Sequence, residues 1–118
     1  MSEARAVHRS LKLVEYTAIP LSLTFLLYVL SGYGMLSSPI LNVLGFTFIT
    51  STKIHTLPLL RYLTSVLATI HFYCGVVVLT RRRVKNARLR EVLKALGLIL
   101  AFLTVASTTA SEIIMLLS

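Results

Sequence analysis

Three long apolar runs divide this chain, and polar or basic residues separate them. Leu11–Met35 is the first, about 25 residues, and Pro58–Thr80 the second, about 23, each long enough for a bilayer core of roughly 30 Å at about 1.5 Å per residue. Glu91–Leu117 is the third. The pattern predicts an all-α integral membrane protein with three transmembrane helices in a single domain over 1–118, the helices spanning about 11–35, 58–80 and 91–117.

The breaks between the runs carry their own signals. Met1–Ser10 is a short polar lead holding Arg5, His8 and Arg9. The first apolar run is too long for a signal-peptide core of about 7–15 residues and lacks a convincing small-residue cleavage pattern, so it reads as a retained helix. Pro20 predicts a kink within it, because proline removes one backbone donor. Ser31-Gly32-Tyr33-Gly34 predicts its end, with Tyr33 suited to the interface. Ser37–Leu57 is ambiguous. Its apolar centre, Pro39–Thr50, is too short to span and is broken by Pro39, Asn42 and Gly45, so an interfacial or re-entrant turn is expected. Thr56 is placed to cap the second helix and Pro58 fits its first turn. Residues 81–90 form a basic loop that starts with Arg81-Arg82-Arg83.

Composition agrees with this layout. Of 118 residues, 56% are hydrophobic and 14% charged, with a mean hydropathy of +0.84. A soluble domain of this size would have to leave much of that apolar sequence on a wet surface. The net charge of +8 would suggest nucleic acid in a soluble protein. Here the cations gather at helix ends, which argues against that partner. Ten of them (Arg5, Arg9, Lys12, Arg81, Arg82, Arg83, Lys85, Arg88, Arg90, Lys94) fall on one side, and only Lys53 and Arg61 on the other. The positive-inside rule therefore predicts a multi-pass protein of the cytoplasmic (inner) membrane, N-terminus and basic loop cytoplasmic, C-terminus outside. Lone Cys74 forms no internal disulfide and says nothing of redox compartment.

The candidate chemistry lies on the second helix. His71 is ten residues before Arg81 and 13 after Pro58, close to the expected midplane. An ionisable ring at that depth is costly unless something satisfies it, so it marks a site. Thr64, Leu67, Ala68, Gly75 and Val78 share its helical face. Ala68 and Gly75 make that face shallow, as an axial histidine with a flat macrocycle against the helix would require. A hydrogen bond to a neighbouring helix and a proton or quinone role are the other readings of the same ring.

His55 precedes His71 by 16 residues, about 24 Å and roughly 160° on a regular helix, so the two cannot hold one iron there. A second haem, a quinone head group or plain interfacial polarity are its alternatives. His8 reads as solvated. On the third helix Thr104, Ser107, Thr108 and Ser111 share a face, and Thr104 is at a depth where it could bond the free ring N–H of His71. The same face, with Ala106-x-x-x-Ala110, also suits close helix packing within a protomer or across a dimer. Met35 and Met115 read as core or lipid-facing rather than as thioether ligands. Glu112, near the outer edge, is too distant in depth from His71 for a shared proton path. No nucleotide-binding glycine pattern, paired carboxylates, Cys/His quartet or nucleophile triad is present, so stand-alone catalysis is not expected.

Ile70-His71-Phe72-Tyr73-Cys74-Gly75, followed by Val76–Thr80, a polar loop and a third helix, resembles the haem-bearing part of the membrane-anchor subunits of succinate dehydrogenase and fumarate reductase. Small b-type cytochromes of other respiratory systems are similar. The resemblance runs from Pro58 to about Leu117. It implies three helices, a cytoplasmic N-terminus, and haem b ligated by an H-x-x-x-G histidine, which falls on His71 with Gly75 beside it. Where that family often places an Asp-Tyr pair for quinone, this chain has Arg81-Arg82-Arg83. The expectation is a membrane cytochrome b carrying electrons between the quinone pool and a partner redox protein, or anchoring a respiratory complex. Its second axial ligand would come from another copy, as in a homodimer, or from another respiratory subunit. A non-redox assembly, anchoring or transporter subunit is the alternative.

Overall fold

The computed structural model describes residues 2–36 and 38–118; Met1 and Ser37, which open the polar lead and the middle segment, lie outside the described residues. Five helices follow in order: α1 (Glu3–Gly34), α2 (Pro39–Val43), α3 (Phe48–His55), α4 (Pro58–Arg83) and α5 (Ala87–Leu117). Among the described residues there is no strand. The helices α1, α4 and α5 are long and apolar enough to cross a membrane. At 32 residues α1 is about 48 Å long at about 1.5 Å per residue, which nearly matches the 51 Å long axis of the molecule.

Helix ends differ from the sequence expectation where local chemistry outweighs hydropathy. The first helix begins at Glu3 rather than at Leu11, because the Ser2 hydroxyl accepts from the Arg5 N–H and caps it there. The third begins at Ala87 rather than Glu91, because Asn86 Oδ1 accepts from the N–H groups of Arg88 (2.9 Å) and Leu89 (3.2 Å). The second runs on to Arg83. Thr56 does not cap it: its hydroxyl donates to the Thr52 carbonyl and closes α3, while Leu57 is the N-cap and Pro58 the first helical residue. Pro20 lies inside α1, which continues through it as one helix.

The middle segment does not span. With five and eight residues, α2 and α3 are too short, and α3 folds back against the end of α1. That approach needs Gly34, because a Cβ there would collide with the Ser51 hydroxyl and meet the Phe46 carbonyl oxygen at 3.0 Å. Ser31 and Ser51 are fully buried in the same contact.

The shared partner is α4. Both α1 and α5 pack on it, and neither makes comparable contact with the other. Within the span windows, 22% of α4 is buried inside the chain against 6% for each of the other two, so most of the apolar surface faces outward. At one end Glu3 pairs with Arg81 (2.9 Å) and Arg90 (3.7 Å), which brings the start of α1 to the α4–α5 connection. The basic lead and the basic loop therefore share an end, while α2, α3 and the end of α5 lie at the other.

Candidate functional site

Where the site sits is decided by small and hydroxyl-bearing residues on α1. Ser10, Thr17, Thr24 and Ser31 recur every seventh position. Three of them, Ser10, Thr17 and Ser31, are buried, and Gly34 is the only other buried residue of that helix. A seven-residue repeat keeps one face on a neighbour, and small side chains let the backbones approach. Each buried hydroxyl meets a polar group from the other helices. Ser10 lies beside the Cys74 thiol, and Thr17 is hydrogen-bonded to His71 and Ser31 to His55.

His71 Nδ1 is 3.0 Å from Thr17 Oγ1. The Thr17 hydroxyl has one proton and lies 2.6 Å from the Leu13 carbonyl oxygen in its own helix. A carbonyl can only accept; with the hydroxyl proton directed there, the oxygen accepts from the ring. In that arrangement a neutral ring carries its proton on Nδ1 and has its lone pair on Nε2. The partner of the ring is thus on α1. Thr104 instead donates to the Leu100 carbonyl of its own helix at 2.8 Å, and its side chain is exposed.

The face His71 shares is open as well as shallow. A Cβ at Gly75 would meet no atom within 4 Å. Thr64 and Ala68 line a groove of about 470 Å³ between α1, α4 and α5. Phe25 and Tyr28 form its α1 wall, and Ser107, Thr108 and Ser111 its α5 wall. The hydroxyls of Thr64, Thr108 and Ser111 each donate to a carbonyl of their own helix, so they face the groove with acceptor oxygens only.

An ion pair closes one end of that groove. Arg61 Nε donates to Glu112 Oε1 at 2.6 Å and Nη2 to Oε2 at 2.9 Å, a two-point fork joining α4 to α5. Arg61 Nη2 also approaches Met115 Sδ at 3.8 Å. Beside it, Tyr62 Oη and Thr109 Oγ1 are 2.9 Å apart. Glu112 is therefore held by a cation on the neighbouring helix.

His55 ends α3 and does not share the helix of His71. It seats against Ser31 of α1, while His71 seats against Thr17, 14 residues earlier, about 21 Å along that helix. The structure keeps the two rings apart, and they cannot meet at one iron. His8 is exposed. No cluster of three metal-ligating side chains occurs among the described residues.

Sequence reasoning placed His71 and its small neighbours on one face but missed the partner. The available signal was the seven-residue recurrence of hydroxyls in the first helix. It also missed the Arg61–Glu112 pair, whose signal was one cation and one anion at the same end of two adjacent helices. No protein-family model, curated protein or solved structure matches this chain.

Proposed function

We propose that this chain is a membrane cytochrome b subunit in which His71 is an axial ligand of a b-type haem. It would carry electrons between a membrane quinone and a partner redox protein. The observation that carries this reading is the Thr17–His71 contact. A histidine whose Nδ1–H is held by an acceptor presents Nε2 to a metal in a fixed orientation, and such outer contacts raise ligand basicity. The neighbourhood fits a flat group: Gly75 has free space where a side chain would stand, and Ala68 is exposed on the same face.

When bound, a haem iron supplies one-electron chemistry at a potential set by its ligand and surroundings. The residues of this chain supply the rest. Thr17 holds the ring, and the hydroxyl-lined groove ending at Arg61–Glu112 would offer a polar end to a quinone head group. A further ligand would come from a second copy or another subunit, because the α1 residues that seat His71 and His55 lie about 21 Å apart along that helix. Ten cations at one end favour a cytoplasmic-side basic face, with the far end outside.

The competing reading makes His71 a packing residue whose only task is to bond Thr17. Purification in detergent from haem-sufficient cells, with a reduced-minus-oxidised visible spectrum, separates the two. Sharp α and Soret bands at a fixed haem-to-chain ratio are expected. A colourless, folded preparation would leave an assembly or anchoring subunit as the better account.

A further inference from the structure

The end of the molecule that carries the basic connection holds more positive charge than its own acids can match. Glu3 is taken by Arg81 and Arg90, and Glu91 pairs with Lys94 at 2.7 Å. The other two acids, Glu15 and Glu112, lie further along α1 and near the far end of α5. Arg82, Arg83, Lys85 and Arg88 are exposed, and none of them forms an ion pair among the described residues.

Arg83 and Lys85 stand at the mouth of an apolar groove of about 340 Å³ between α4 and α5. Phe72, Val76 and Leu79 form its α4 wall, and Leu93, Leu96 and Leu100 its α5 wall. Its one hydroxyl, on Thr80, is buried and donates to the Val77 carbonyl at 3.2 Å, so the walls offer a ligand hydrocarbon contact only. Helical spacing continues the α4 row through Arg83, four residues after Leu79 and seven after Val76. Lys85 is the middle residue of the short connection, 84–86, that joins the two walls. Arg81 leaves α4 on the other side, towards Glu3 of α1. Arg82 and Arg88 lie off the two groove rows by roughly 100° or more at 3.6 residues per turn.

Unpaired cations at the mouth and hydrocarbon along the walls fit one kind of molecule. A free anion gains nothing from the walls, and a lipid without net charge gains little from the cations. We propose that this groove binds an anionic phospholipid, its phosphate at Arg83 and Lys85 and one acyl chain along the cleft between α4 and α5. The site uses neither His71 nor the groove at Arg61 and stands apart from the haem reading. A lipid seated there joins α4 to α5 at the end opposite the Arg61–Glu112 fork.

The test is native mass spectrometry of the full chain in detergent, titrated with phosphatidylglycerol and with phosphatidylcholine of the same acyl chains. One phosphatidylglycerol per chain is expected to stay bound where phosphatidylcholine does not. Arg83→Gln with Lys85→Gln should weaken it roughly thirtyfold, the loss expected of two cations at a headgroup. Arg82→Gln with Arg88→Gln removes the same charge beside the groove and should cost only a few-fold. Leu96→Trp keeps every charge but fills the groove, and it should displace the lipid. Excess inorganic phosphate should leave the complex intact. Equal losses in the two double variants, wild-type binding in Leu96→Trp, or displacement by phosphate would each overturn the proposal, because they describe diffuse attraction to a basic surface or a plain anion site. Should a variant fail to accumulate, the wild type decides: equal retention of the two lipids overturns the site.

Discussion

The two flanks of α4 are built differently. Towards α1 the contact is short-ranged and polar, with Thr17 on His71 and Ser10 at Cys74. Towards α5 the contact is pinned near one end by the Arg61–Glu112 fork and the Tyr62–Thr109 bond, and elsewhere by Val76 against Gly97. Between those pins lies an open groove of about 210 Å³ bounded by Ser65, Ala68, Phe72, Leu100 and Thr104, and another of about 340 Å³ surrounds Val76 and Gly97. In lipid, apolar surface alone does not draw helices together, so small residues and hydrogen bonds decide which pairs close. By that criterion α1 and α4 form the specified unit, and α5 is tethered beside it with room for another group.

The largest effect is expected from Gly34→Val, which acts beside that unit, where α3 packs on the end of α1. The new side chain meets Ser51 and the Phe46 carbonyl, so α3 must leave α1. Overpacking of this kind costs about 3 kcal/mol. Thermal unfolding in detergent should show the largest fall of the set, and His55 should lose its seat with it. A wild-type melting curve would mean that the α1–α3 contact does not hold the fold.

A second cut goes to the loose side. Glu112→Ala leaves Arg61 without its partner, and α5 should come away from α4 at that end. The expected sign is faster proteolysis of the end of α5 and a fall of several degrees in Tm. Both should be smaller than for Gly34→Val and should weaken when high salt already screens the pair. An unchanged cleavage rate would show that the ion pair is not what tethers α5.

The mildest change is Thr17→Val, which keeps the shape of the side chain and removes the acceptor of the ring proton. A single hydrogen bond of this type is worth about 1 kcal/mol. Its second readout tests the proposed haem: a less basic ligand would favour reduced iron, so the midpoint potential should rise. A potential that does not move would mean that Thr17 does not act through the iron.

Much of this was legible in the chain itself. The three spans, the non-spanning middle segment and the shared end of the basic residues all follow from hydropathy and charge, because lipid imposes them on any sequence. The depth of His71 and the shallow face around Ala68 and Gly75 follow from helical spacing. What was not legible depends on which helix turns which face to its neighbour. Thr104 and Thr17 each lie on a helix beside α4, and only packing shows that the ring turns to Thr17. Helix starts at Glu3 and Ala87 were missed because Ser2 and Asn86 cap them in polar sequence, where hydropathy carries no signal.

The central claim is that Nε2 of His71 binds iron. Its most direct test is the haem content of purified His71→Asn beside the wild type, with circular dichroism to show that both are folded. Asparagine can keep the bond to Thr17, so helix content should match while the haem signal assigned to His71 disappears. A folded His71→Asn protein with the full wild-type haem spectrum would contradict the claim and leave the ring as a pin between α1 and α4.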